Sequence, residues 1–195
     1  MNPFTKLTRL EDDRTLLLPL KESDFDALYA VASDPKIWEQ HPQPDRWKES
    51  VFRSFFEGAI KSKGAFKIVD KKTGAIAGST RFYDYHSKSR SIFIGYTFYA
   101  VCHWGTGLNA TVKKLMLDYA FLYVDTVLFH VGTANTRSQK AVEKLGAHQV
   151  AQIPADYPGG GPKSNFRYEI PKEDWPNDHP ASVADTPITS KTFRP

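Results

Sequence analysis

The chain has 195 residues, 41% of them hydrophobic and 25% charged, enough for one domain with a real core and too short for two comfortable ones. No apolar run reaches the roughly 18 residues of a membrane span, residues 1–13 lack the apolar stretch of a signal peptide, and the single Cys102 excludes an internal disulfide or a cysteine zinc site and points to a reducing cytoplasm. The net charge of +4 is scattered rather than gathered into a basic stripe, which disfavours nucleic acid and reads as a solvated surface or a mild attraction for an anionic ligand.

Residues 15–20 read as a first strand. A helix follows over about 24–33, with Phe25, Leu28, Tyr29 and Ala32 at helical spacing, and Asp34-Pro35 ends it. Residues 36–46 form a Pro-rich loop with exposed aromatics near it: Trp38, His41 and Trp47. Val51, Phe52, Phe55, Phe56, Ala59 and Ile60 predict an amphipathic helix over 49–62. Strands at 65–69 and 75–85 make a hairpin about the turn 70–74. In the next strand, 92–99, Ile92, Ile94, Tyr96 and Phe98 are expected on one face and Phe93 and Tyr99 on the other, which marks a central strand. The helix 108–123 turns Val112, Leu115, Met116, Tyr119, Ala120 and Tyr123 inward and leaves Lys113, Lys114 and Asp118 outside. A strand at 126–131, a helix at 135–145 stopped by Gly146, and strands at 148–153 and 166–170 complete the order. Between the last two lies a Gly- and Pro-rich loop, 156–162. Residues 171–195, rich in Pro, Asp and Ser, read as an unstructured tail. The whole is an α/β (α+β) chain with a mixed, mostly antiparallel sheet of about seven strands and about four helices.

Two strand-to-helix junctions carry the chemistry. At the first, Trp104-Gly105-Thr106-Gly107-Leu108-Asn109 opens a helix. Glycines let a backbone turn sharply and a phosphate approach its N–H groups, and the helix start adds unpaired donors. The rival reading is a turn that needs glycine for geometry alone. At the second, Asn135-Thr136-Arg137-Ser138 opens the next helix, and an ordinary N-cap pair is the rival there. Both junctions fall at one edge of the sheet, where α/β proteins bind ligands.

These motifs, with Ile94-Gly95-Tyr96 before them and Glu143-Lys144-Leu145-Gly146-Ala147 after, resemble the GNAT superfamily of acyl-CoA-dependent N-acyltransferases, most closely the branch of the ribosomal-protein N-terminal acetyltransferases. The resemblance implies a domain over 14–172, with 173–195 as its tail. It implies acetyl-CoA as co-substrate, no metal, and an amine on a small molecule or a peptide N-terminus as acceptor; a homodimer is compatible with it. The family loop is Gln/Arg-x-x-Gly-x-Gly/Ala. Trp104 stands first, Gly107 is central, and Asn109 replaces the usual small last residue. The amides from Gly105 to Ala110 (Gly105, Thr106, Gly107, Leu108, Asn109, Ala110) are then expected on the pyrophosphate. Backbone groups near Phe98 and Tyr99 are expected along the pantetheine, and Asn135 near the thioester.

Transfer needs a neutral amine, a donor for the oxyanion and a donor for the leaving thiolate. Relatives place a tyrosine seven residues after the Asn, and this chain has Val142 there. The resemblance therefore puts Ser138 forward as donor, with helix capping as its alternative. For the base, Glu39, His41, Asp84, Tyr85, His86 and Glu169 are available, with Asp84 and His86 foremost and a water relay as the alternative. Trp38, His41, Tyr83, Tyr85 and Tyr96 are expected around the acceptor; Trp47 reads as a core plug. Cys102 reads as a small hydrophobe. Beside the enzyme stands a second reading, a module that binds acyl-CoA without catalysis.

Overall fold

In the computed structural model, which describes residues 2–156 and 163–176, the expected elements assemble in the expected order around one sheet. The strands are β1 (Leu10–Glu11), β2 (Thr15–Pro19), β3 (Ala65–Asp70), β4 (Ile76–His86), β5 (Ser91–Tyr99), β6 (Thr126–Gly132), β7 (His148–Ala155) and β8 (Lys163–Pro171). The helices are α1 (Phe25–Ala32), α2 (Glu49–Ser62), α3 (Leu108–Ala120) and α4 (Thr136–Glu143). Spatial order is β1-β2-β3-β4-β5-β6-β8-β7. All neighbours are antiparallel except β5 and β6, which run parallel. Eight strands stand where about seven were expected; β1, at two residues, is too short to show alternation. Residues 157–162 of the Gly-rich loop and 177–195 of the tail lie outside the described residues.

Each face of the sheet is apolar for its own reason. On one face α3 lays Val112, Met116, Leu117 and Ala120 over Phe82, Ile92 and Ile94. On the other, α1 and α2 bring Leu28, Phe52 and Phe56 against Phe98. Full burial of each such side chain stabilises the fold by roughly 1.5–3 kcal/mol. The end of α4 carries the backbone bonds of a Schellman motif: Gly146 N–H to Glu143 O at 2.9 Å and Ala147 N–H to Val142 O at 3.2 Å.

Strict alternation fails at two bulges. Asp84 in β4 and Tyr96 in β5 adopt left-handed φ of 48° and 52°, and the β4–β5 register shifts beside each. An extra residue turns over every side chain beyond it. Tyr96 and Phe98 therefore lie on the α2 face, not with Ile92 and Ile94. Tyr85 turns to the α3 face and packs on Phe4 at 5.4 Å.

Other expectations change as well. Trp38 is 2% exposed, because short 3-10 turns at Pro35–Trp38 and Pro44–Trp47 fold the Pro-rich loop down onto α2. Trp47, expected as the plug, is 38% exposed. Lys113 is 4% exposed, facing the sheet rather than solvent. The helix α3 stops at Ala120, so Tyr123 lies past its end. The start of the tail is also packed: Trp175 donates to Asp118 at 2.8 Å and lies 6.3 Å from the Phe121 ring.

One feature of the register positions the site. The parallel pairing ends after Ser91↔Thr126, Ile92↔Val127 and Phe93↔Leu128. Beyond it, residues 94–99 of β5 and 129–132 of β6 part, and each leaves a strand edge facing a widening wedge.

Candidate functional site

The chain leaves β5 through a 3-10 turn, Val101–His103, and enters α3 by a loop with two left-handed glycines. Gly105 has φ 74° and Gly107 φ 86°, conformations that cost a side chain strain. A Cβ at either would meet no atom within 4 Å, so both open onto free space. The amides of Gly105, Gly107, Asn109 and Ala110 have no partner among the described residues. An N-terminus of a helix with free amides over open space suits a phosphate. Asn109, the departure from a small residue, does not intrude. It turns to the sheet, where its Oδ1 accepts from the Tyr99 hydroxyl at 3.1 Å. Tyr99 is buried, which raises its pKa and keeps it protonated.

The other lip of the wedge leads into α4. Asn135 caps this helix, its Oδ1 accepting from the Ser138 N–H at 3.1 Å. The side-chain amide Nδ2 of Asn135 has no partner among the described residues, and neither has the Ser138 hydroxyl. Capping is thus the work of Asn135, and Ser138 keeps a free, half-buried hydroxyl at the wedge. Val142 lies in the core, 6% exposed.

Arg137 joins the two junctions, a role the motif alone did not disclose. Its guanidinium lies 4.0 Å over the Trp104 ring and donates to Ile37 O at 2.9 Å. Its backbone N–H donates to Gln40 Oε1 at 3.1 Å. Trp104 in turn donates to Tyr99 O at 3.3 Å. The glycine loop, the start of α4 and the loop 37–46 are thereby held together.

On the α2 side of the wedge lies an aromatic floor. Tyr83 is 5.2 Å from Phe93 and 4.9 Å from Tyr96, and Phe93 is 4.4 Å from His130. Buried Arg81 stacks on Tyr96 at 4.1 Å, and burial lowers its pKa. A cleft of about 1000 Å³ adjoins the end of β6, lined by Glu39, His41, Pro42, Gly132, Ala134 and Lys163 among others. His41 forms part of its wall as a strut. Its Nδ1 accepts from the Gln43 N–H at 2.9 Å and its Nε2 lies 3.1 Å from Arg46. Burial and the Arg46 charge push its pKa to about 3, too low for a general base near neutral pH.

The structure therefore sorts the expected residues. Gly105 to Ala110, Asn135 and Ser138, the β5 edge at Phe98 and Tyr99, and Tyr83, Asp84 and Tyr96 gather about the wedge. Trp38 does not: its indole N–H donates to Ala32 O at 2.7 Å inside the core. Tyr85 points to the opposite face. His86 pairs with Ser91 at the far end of β5, seven residues and roughly 23 Å of strand from Phe98. His130, which sequence reading passed over, stands on the lip of the wedge. Among the described residues no group of three or more His, Cys, Asp or Glu could hold a metal, and no helix is long and apolar enough to cross a membrane.

Comparison with known proteins agrees with this geometry. The family model of the acetyltransferase (GNAT) domain matches residues 14–148. The fold is similar to a GCN5-related N-acetyltransferase from Brucella melitensis at TM-score 0.78 and 18% identity, covering 89% of this chain and 82% of that one. It is similar to RimJ from Mycobacterium smegmatis in complex with CoA-disulfide at TM-score 0.69 and 17% identity, covering 88% and 91%. It is also similar to spermidine N-acetyltransferase from Vibrio cholerae in complex with CoA and spermine at TM-score 0.65 and 17% identity, covering 84% and 98%.

Proposed function

The chain belongs to the GNAT acetyltransferase family, and on that premise we propose that it moves an acetyl group from acetyl-CoA to a primary amine by direct attack in a ternary complex. The amine belongs to a small molecule or a peptide N-terminus, and residues 14–172 form the catalytic unit. The observation that carries this reading is the pairing of a free-amide glycine loop with an unpaired β5 edge beside it.

When bound, acetyl-CoA supplies an activated carbonyl and a thiolate leaving group. The chain's own residues would do the rest. The amides of Gly105, Gly107, Asn109 and Ala110 hold the pyrophosphate, and the open cradle has room for it. The β5 edge at residues 94–99 hydrogen-bonds the pantetheine as an added strand would. Asn135 is fixed by its capping bond and directs Nδ2 as a donor to the acyl end. The Ser138 hydroxyl donates to the departing sulfur. That demand is modest, because a thiol pKa of about 8.5 makes the thiolate a fair leaving group. Tyr83 and Tyr96 form the surface on which the amine rests.

The buried Val142, seven residues after Asn135 where the resembling family places a tyrosine acid, favours a second reading: a module that binds acetyl-CoA without transfer. Thiol release from acetyl-CoA over a panel of amines and N-terminal peptides decides. Acceptor-dependent release supports transfer; saturable binding with no release from any acceptor supports the module.

A further inference from the structure

We infer that His130 is the catalytic base that takes the proton of the acceptor amine, with Asp84 as a nearby carboxylate that stabilises the imidazolium it becomes. The inference rests on the acetyl-transfer reading and names a residue within that site.

Position comes first. His130 lies on β6 two residues past Leu128, the last residue paired with β5, and so on the lip of the wedge. Its neighbours Val127, Phe129 and Val131 are buried in the α3-side core. Alternation therefore turns His130 to the other face. There its ring meets Phe93 at 4.4 Å, and through Phe93 the floor of Tyr83 and Tyr96.

Backbone geometry points to the same place. Among the described residues four non-glycine positions have positive φ: Lys63, Asp84, Arg90 and Tyr96. Lys63 caps the end of α2 and Arg90 sits in the β4–β5 turn, where such conformations are common. Asp84 and Tyr96 lie inside strands, and both border this floor. Strain held inside a strand is characteristic of functional sites. The turn at Asp84 brings its carboxylate within electrostatic reach of His130.

The charged surroundings suit a base. Arg167 pairs with His130 across the β6–β8 ladder, and its Nε is buried without a partner. Glu169 is opposite Leu128, one step along the same face. Tyr83, Tyr96 and the buried Arg81 that stacks on Tyr96 are further ionisable groups of that floor. Burial and Arg167 lower the His130 pKa below 6.5, and Asp84 opposes them by raising it. The ring is therefore neutral near pH 7, able to accept a proton. The two other histidine candidates fall away: His86 is at the far end of the strand, and His41 is pushed to about 3.

The ammonium gives one proton to the imidazole, and its freed lone pair forms the C–N bond at the thioester carbonyl. The C–S bond breaks with its electron pair on sulfur. A second proton of the amine passes to the thiolate, the third stays on the amide, and the imidazolium releases its proton to solvent.

The test has two arms. In the free protein, histidine ring NMR titration of the wild type and D84N reads the His130 pKa directly. Removal of the carboxylate should lower it; an unmoved pKa breaks the Asp84–His130 pair and overturns the proposal. In turnover with an amine chosen from the panel, H130Q should lose about 100-fold or more in kcat/KM while acetyl-CoA affinity is kept. Its acidic limb should vanish, and the limb of D84N should move to lower pH. An H130Q enzyme that keeps the wild-type rate and limb sinks His130 alone. A wild type that acetylates no amine sinks the transfer reading and this role with it.

Discussion

Lys113 gives a test of the structure through its energetics. It is fully buried between α3 and the sheet, with Nζ 2.6 Å from Thr97 Oγ1 and 3.3 Å from Thr80 Oγ1. Two hydroxyls do not compensate a buried charge, and burial lowers the amine from 10.5 to about 7. Each decade of lost proton affinity is worth about 1.4 kcal/mol, so this amine costs the fold at most about 5 kcal/mol at pH 7. The variant K113M keeps the volume and removes the charge. It also removes hydrogen bonds worth about 1 kcal/mol each, although Thr80 and Thr97 already lie 2.8 Å apart and can pair. The net gain should be about 3 kcal/mol, or roughly 6–12 °C in Tm for a chain of this size. The pH dependence carries a sign. Between about pH 7 and 10.5 the unfolded chain binds a proton that the folded one lacks, so wild-type stability should rise with pH across that window. The K113M advantage should be full below about pH 7, shrink by about 1.4 kcal/mol per pH unit above it and vanish near about pH 9. Urea unfolding at pH 6.5, 8 and 9.5 measures it. A variant no more stable than wild type at pH 6.5, or one with a pH-independent advantage, would show that Lys113 is not a destabilising buried amine.

Other outcomes follow from the wedge. Gly107→Val puts a branched side chain into the space before the free amides and into a φ that costs L-residues roughly 1–2 kcal/mol. Calorimetry should show coenzyme affinity falling at least tenfold, and an unchanged affinity removes the cradle. Ser138→Ala should cut turnover by roughly 10- to 100-fold, below a full general acid, with coenzyme affinity and Tm intact, since Asn135 is the cap. A loss of stability alone would return Ser138 to a structural role. Asn135→Ala should cost about 1 kcal/mol of stability and weaken acetyl-CoA as well; a stability loss with unchanged binding confines Asn135 to capping. Arg137→Met should raise both the coenzyme Kd and the acceptor KM, because Trp104 and Ile37 share that guanidinium.

Element order, the two junctions and the glycine loop were all readable from residue pattern, because each is a local property. What escaped depended on distant partners. The helical pattern of α3 put Lys113 outside, yet Asn109 and Lys113 also face the sheet beside Val112, Met116 and Leu117, polar where they meet Tyr99, Thr97 and Thr80. The resemblance set Tyr85 at the acceptor and strict alternation set Tyr96 beside Ile92; bulges at Asp84 and Tyr96 turned both over, and a bulge is invisible in a period-two count. Trp38 belongs to a segment that looks like an open loop, but its 3-10 turns bury it. His130 was masked by its apolar neighbours Val127, Phe129 and Val131. The signal was there, since a strand with one apolar face must turn His130 to the other. The parting of β5 from β6 is a matter of register, which neither strand encodes alone.

Amide NMR with added acetyl-CoA shows whether the glycine loop and the open β5 edge hold the coenzyme. The expected result is saturable shifts at Gly105, Gly107, Asn109 and Ala110, along residues 94–99, and at the Asn135 side-chain amide. No saturable shift at millimolar ligand, or shifts confined to other parts of the chain, would contradict it.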